Sequence, residues 1–245
     1  IVPIKNVMGK TRGFGARMLV DAPDQTKYIN SPQTIVYDKS QSLYGLFQAK
    51  NQIRTVKSVL LVEGYADVIS LHQAGFTNAI ASSGTSLTKD QLNIISRLCN
   101  QIYIVYDSDS AGIKATERAI ELALEDGFEL NIVQLPQGED PDSLIKNNGN
   151  KIFQSYLDDS SSFLDFKVSL LKKNNLLSTP AQKSNAIREI VRLINKIPDK
   201  LQHDFFIVRL ASLLKISEYQ LKKVFDMKEQ DRSEERRVGK ECRSR

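Results

Sequence analysis

Hydrophobic positions change rhythm along the chain. Near the start they fall in short alternating runs, which predict two strands, Ile1–Val7 and Gly13–Val20, turned around Met8-Gly9-Lys10. A loop at Asp21-Ala22-Pro23-Asp24 and an extended segment closed by proline, Tyr28-Ile29-Asn30-Ser31-Pro32, come next. Ser42 is placed to cap a short helix through about Ile53. Strand and helix patterns then alternate. Val59–Val62, Asn78–Ala81, Ile102–Tyr106 and Leu130–Leu135 read as short apolar strands. Tyr65–Ala74, Thr88–Leu98 and Ala111–Asp126 read as helices, with Gly75 and Gly127 as stops and Pro141 opening another. Such alternation predicts an α/β fold, a mostly parallel sheet with helices on both faces. From Phe163 onward no strand pattern appears, and Pro180–Lys196, Asp199–Leu214 and Ser217–Phe225 carry helical spacing. A helical subdomain therefore follows the α/β one.

The 245 residues, 41% apolar and 26% charged, suit one large domain or two small ones and exclude wholesale disorder. The apolar runs are strand-sized, so no membrane span is expected. The opening Ile1-Val2-Pro3-Ile4-Lys5 lacks a Met and the order of a signal peptide, which reads as a start inside a longer protein. Two Cys and two His exclude disulfide scaffolds and Cys/His zinc sites, and a reduced, cytoplasmic setting is expected. His72 and His203 sit among apolar residues and read as structural.

The formal charge of +5 conceals an asymmetry. Residues 1–58 hold nine Lys/Arg against three Asp/Glu, residues 59–162 six against fifteen, and residues 163–231 thirteen against eight. An acidic middle between basic flanks suits metal cations at the centre and polyphosphate around them, although solvated helix faces give the same balance. The last fourteen residues, 232–245, have no apolar period and resemble the in-frame translation of a sequencing-library adapter. They are read as a non-native tail, a natural basic tail being the alternative.

Ligands of open α/β sheets bind beyond the carboxyl ends of the strands. Glu63 and Asp67, then Asp107 and Asp109, then Glu139-Asp140-Pro141-Asp142 follow three of the predicted strands. Any one cluster could be a helix cap. Several carboxylates on one edge repel unless cations neutralise them, and hard oxygen ligands favour Mg²⁺ or Mn²⁺. The sequence has no G-x-x-x-x-G-K-[ST] loop, no complete dinucleotide fingerprint at Gly13-Phe14-Gly15, and no Ser/His/Asp nucleophile set.

Glu63-Gly64-Tyr65-x-Asp67, followed some forty residues on by Asp107-x-Asp109, resembles the Toprim domain of primases, topoisomerases and some nucleases. Lys27-Tyr28-Ile29-Asn30-Ser31-Pro32-Gln33-Thr34, Leu43-Tyr44-Gly45-Leu46, Ala81-Ser82-Ser83-Gly84-Thr85 and Glu139-Asp140-Pro141-Asp142 are similar, in order, to segments of the bacterial DnaG-type DNA primase family. Ser108 stands where that family usually has Gly, and Ala16 replaces a Gly before Arg17. The resemblance implies that Glu63, Asp107 and Asp109 are metal ligands. It implies that Asp67, Asp140 and Asp142 complete a catalytic acidic site, and that Arg17, Lys27 and Lys39, with Asn30, hold template and nucleotide phosphates.

It further implies a metal-dependent nucleotidyltransferase, a DNA-directed RNA polymerase making RNA primers from ribonucleoside triphosphates on single-stranded DNA during replication. The expected organisation is a basic α+β subdomain at 1–58, a Toprim subdomain at 59–145 and a helical subdomain at 146–231, acting as a monomer. Zinc and replicative-helicase binding are expected in domains outside this chain. Three rivals stand beside this reading: another Toprim enzyme that cleaves nucleic acid, a haloacid-dehalogenase-like phosphatase with Asp107 as nucleophile, and a non-catalytic nucleic-acid-binding module.

Overall fold

Two sheets hold the named strands of the computed structural model, which describes residues 1–18, 28–82, 84 and 86–223. Expectations for Leu19–Val20, the loop at 21–24, Lys27, Ser83, Thr85 and the tail at 232–245 fall outside the described residues. The chain divides into two units, Ile1–Ser162 and a second beginning at Phe163.

In the first unit, β1 (Val2–Lys5), β2 (Thr11–Arg17) and β3 (Tyr28–Asn30) form an antiparallel sheet in that order. The β1–β2 turn closes on Asn6, whose Oδ1 accepts from the backbone N–H groups of Met8 and Lys10. The register sets Ile4 opposite Gly13, and Ile4 is buried with Tyr37 and Tyr65. Gly15 is required by a close approach: a Cβ there would stand 2.6 Å from the Tyr65 ring.

Ser42 does not cap the helix that follows. That helix, α1 (Leu46–Val56), starts from Gly45 at φ 81° with no side-chain cap. Ser42 instead ends a 3-10 turn at Lys39–Gln41, and its hydroxyl donates to the Asp38 carbonyl. The chain stays extended because Tyr44 bridges to Ala81 while Leu43 is buried.

The larger sheet runs β5-β4-β6-β7-β8, from β4 (Ser58–Val62), β5 (Ala79–Ala81), β6 (Gln101–Ile104), β7 (Glu129–Ile132) and β8 (Ser161–Ser162). All its pairs are parallel except β7–β8. Its helices are α2 (Tyr65–Gln73), α3 (Lys89–Ser96), α4 (Ser110–Glu125) and α5 (Pro141–Asp158). Strands β4 and β5 are almost wholly buried, as expected of a sheet covered on both faces.

The boundary expected at residue 145 falls inside α5. Leu144 and Phe153 of that helix share a buried cluster with Val68 and Leu71 of α2, and the Phe153 and Phe76 rings meet edge-on at 4.8 Å. That packing keeps α5 and β8 with the parallel sheet. Both sheets lie within the first unit.

The second unit is helical, with α6 (Phe163–Lys173), α7 (Pro180–Ile194), α8 (Lys200–Leu214) and helical residues 218–223. Thr179 and Asp199 cap α7 and α8 as sequence-based helix starts should. The period did not reveal α6, because a buried lysine interrupts its apolar face. Lys167 sits there among Phe163, Leu164, Phe166 and Val168, paired with Glu189 at 2.7 Å.

Candidate active site

The chain leaves β4 toward β5 on one side and leaves β6 toward β7 on the other. Right-handed crossovers place α2 and α4 on opposite faces and open a crevice between the carboxyl ends of β4 and β6. Glu63 is the first residue beyond β4, and its Oε1 accepts from the Asp107 backbone N–H at 3.2 Å across that crevice.

The turn from β6 into α4 is fixed from both ends. Asp109 caps α4, its Oδ1 accepting from Ala111 N at 2.9 Å and Gly112 N at 2.7 Å. Gly112 packs directly on Asp107, and an added Cβ would stand 2.1 Å from the Asp107 carbonyl oxygen. Ser108 adds a tether that sequence reasoning missed. Its hydroxyl donates to the Pro136 carbonyl at 2.8 Å and accepts from Gly138 N at 2.9 Å. A glycine could make neither bond, so the departure from the family pattern ties two acidic loops together.

On the α2 and α5 side, Asp140 caps α5 through Ser143 N at 2.6 Å. Asp67 is buried, and its two oxygens accept from Gly64 N at 2.9 Å and Asp142 N at 3.3 Å. Asp142 takes a hydrogen bond from the Ser70 hydroxyl and an ion pair from Lys146 at 2.7 Å. The six acids thus gather at one edge. Asp67, Asp109, Asp140 and Asp142 each spend at least one oxygen on holding the local backbone or a neighbouring side chain.

Burial and crowding raise several of these carboxyls. Asp107 is pushed up to about 7 by burial, then by Glu63, Asp140 and Asp109. Asp67 reaches about 7 chiefly through burial. Burial raises Glu63 too, against the Asp107 backbone hydrogen bond that lowers it. Burial pushes Asp142 up, but Lys146, the Ser70 hydroxyl and Arg17 outweigh it and hold that carboxyl low. Burial, and then the Glu63 charge beside it, raise the Tyr106 hydroxyl.

The basic candidates are less concentrated. Arg17 ends β2 with its guanidinium 5.9 Å from the centre of the Tyr28 ring, close enough to act on Asp142. Asn30 accepts a hydrogen bond from the Tyr65 hydroxyl, so it joins the antiparallel sheet to the start of α2. Lys39 is half-buried in the 3-10 turn, which is held to α3 by Gln91 Nε2 donating to the Lys39 and Ser42 carbonyls. Lys27 is outside the described residues.

Among the described residues no three Asp, Glu, His or Cys side chains are close enough together to hold one metal ion. The donor chemistry nevertheless fits a hard divalent cation. Glu63 and Asp107 are oxygen donors destabilised as anions by burial and by neighbouring charge, which a cation relieves. His72 and His203 bond the backbone carbonyls of Ala79 and Ile197, in keeping with structural roles.

A parallel sheet whose switch-point crevice carries a glutamate after one strand and Asp-x-Asp after the next defines a Toprim-type domain. Residues 60–145 match the family model described as Toprim-like. Residues 1–50 match the N-terminal domain of the DNA primase catalytic core, and residues 164–218 match the DnaB-helicase binding domain of primase. The chain is 36% identical to a DNA primase of Clostridium acetobutylicum over 219 residues, 89% of this chain and 36% of that one. It is similar to a DNA primase domain from Pseudomonas aeruginosa, with 32% identity, a TM-score of 0.79, and 91% and 70% of the two chains covered. A DnaG primase catalytic domain bound to single-stranded DNA is 34% identical with a TM-score of 0.77, over 89% and 69% of the chains. The chain belongs to the bacterial DnaG-type DNA primase family. It spans about a third of the length of the curated relatives it matches. The match at 164–218 corrects the expectation that the region similar to a helicase-binding domain lies wholly outside this chain.

Proposed function

We propose that this chain carries the catalytic core of a primase, a nucleotidyltransferase that joins ribonucleoside triphosphates on single-stranded DNA to make RNA primers. The observation that carries the reading is the crevice bridge from Glu63 to Asp107, with Asp109 fixed beside it by its cap. The single-stranded DNA in the related catalytic domain supports the template assignment.

Glu63, Asp107 and Asp109 are the residues to hold Mg²⁺ or Mn²⁺. Such ions supply charge neutralisation at the attacking and leaving oxygens of phosphoryl transfer. The chain's own part is positioning. Asp67 fixes the starts of α2 and α5 relative to each other, and Asp140 and Asp142 stand at the start of α5 in that fixed frame. Arg17 and Lys39, with Lys27, supply sequence-independent phosphate contacts, and Asn30 orients their sheet through Tyr65. The helical unit supplies a helicase-binding surface, and the zinc-binding part belongs to a separate N-terminal domain. A reducing, cytoplasmic setting suits this work.

Ribonucleotide incorporation on a primed single-stranded template tests the reading. Incorporation that requires Mg²⁺ or Mn²⁺ is expected, and cleavage of the template without incorporation would place the chain among the Toprim nucleases. Phosphate contacts are tested separately with Lys27→Ala combined with Lys39→Ala. Single-strand affinity is expected to fall for every sequence, the slope of log affinity against log salt shrinking by roughly 0.7 per lost contact. An unchanged slope returns both lysines to the ordinary surface.

A further inference from the structure

The crevice opens onto a second space that no role above uses. A cavity of about 320 Å³ lies on the α4 side, lined by Ser82, Gly84, Ser86 and Leu87 beyond β5 and by α4, and by no residue of α2 or α5. Glu63 and Tyr106 form its inner wall, with Ser82 and Ser86 on the loop side. Ala111, Ala115 and Arg118 line it from α4, at the spacing of one helical face. Ser82 is buried and hydrogen-bonded to Tyr106, so that wall is fixed. Arg118 is the one cation among the lining residues, and it sits in the segment where acids outnumber bases fifteen to six.

We infer that this cavity holds the initiating nucleotide, with Arg118 gripping its 5′-triphosphate and its 3′-hydroxyl turned toward Glu63. The inference rests on the primase reading. The first bond of a primer joins two free nucleotides, and neither is anchored by an existing RNA strand. The protein must therefore hold both at once, one on each side of Glu63, the acid of the site that lines the cavity. The side facing Asp67, Asp140 and Asp142 is bordered by Arg17 and Tyr28, and the cavity is the space on the other side. Its volume suits a single nucleotide portion and is far too small for a duplex. An arginine beside serine hydroxyls offers the forked donors that phosphate oxygens take. In the step, the 3′-oxygen of the held nucleotide forms a bond to the α-phosphorus of the second nucleotide. The α–β anhydride bond breaks, pyrophosphate leaves with that electron pair, and the hydroxyl proton passes to water.

The test compares two reactions of the whole chain on one template: dinucleotide formation from free nucleotides, and extension of an annealed RNA primer. Arg118→Ala is expected to raise the GTP concentration needed for half-maximal initiation about tenfold, and to impair initiation at least five times more than extension. Arg118→Lys should recover part of the loss, and starting with guanosine in place of GTP should remove most of the difference between variants. Equal losses in both reactions, or no loss, would overturn the assignment. GTP binding in Mg²⁺, measured by calorimetry, decides the cavity independently of turnover. An unchanged Kd in Arg118→Ala refutes the site even if neither reaction runs, whereas wild-type chain that binds GTP through Arg118 yet joins no nucleotides refutes the primase reading alone.

Discussion

Asp107→Asn is expected to lower nucleotide incorporation a hundredfold or more and, in the same protein without metal, to raise the melting temperature. The first effect follows from losing a charged ligand and several kcal/mol of charge stabilisation. The second follows from proton linkage. The folded carboxyl titrates at about 7, above its ordinary 3.8. As pH rises, the unfolded chain releases this proton first, so the metal-free fold is progressively penalised between those two values and carries the full penalty above them. A shift of this size corresponds to ~4 kcal/mol at most. Because part of the carboxyl meets solvent, a gain of about 1 kcal/mol is expected from Asn at pH 8. That is roughly 2–4 °C for a chain of this size. At pH 4 the gain should nearly vanish. Thermal melts at the two pH values and an incorporation assay check both halves. A variant with wild-type activity and no pH-dependent gain would remove Asp107 from the site.

Gly112→Ala is expected to be more damaging to the fold than any single carboxylate change. The added Cβ would stand 2.1 Å from the Asp107 carbonyl oxygen, 2.9 Å from its carbon and 3.1 Å from its nitrogen. These are backbone atoms, so no side chain can swing away. Either α4 moves outward or the turn holding Asp107 and Asp109 deforms. Overpacking against backbone costs about 3 kcal/mol or more, lowering the melting temperature by roughly 6–12 °C. Incorporation should fail even in protein that remains folded, because Asp109 loses the cap bond to Gly112 N. Calorimetry with an incorporation assay at low temperature separates the two effects. A variant that melts like wild type would show that the approach of α4 to Asp107 is looser than described.

Strands β4 to β7 and their helices were legible in the sequence because their signals are local. Each strand is a short apolar run, and caps such as Thr88, Asp140 and Thr179 stand where helices begin. The acidic edge was legible for the same reason, since Glu63 directly follows β4, Asp107 and Asp109 come just after β6, and Asp140 and Asp142 stand at the start of α5. What escaped depends on partners distant in sequence. The division of labour among the acids could not be read, because Asp67 meets Asp142 N and Ser108 meets Pro136 only after folding. Nor could the start of α1, where the Tyr44–Ala81 bridge overrides a good cap at Ser42. The helix α6 was hidden because Lys167, polar by type, is paired and buried.

The two-residue strand β8 governs where the first unit can be cut. Ser161 and Ser162 pair with Ile132 and Asn131, covering the open side of β7. A recombinant piece ending near residue 145, where the acidic motifs stop, would lose that cover together with Phe153, which is fully buried under α2. Its last parallel strand would then offer free N–H and C=O groups beside a bare apolar face, a template for edge-to-edge aggregation. A soluble excised domain must therefore reach at least Ser162, seventeen residues beyond the last residue matched to the Toprim-like model.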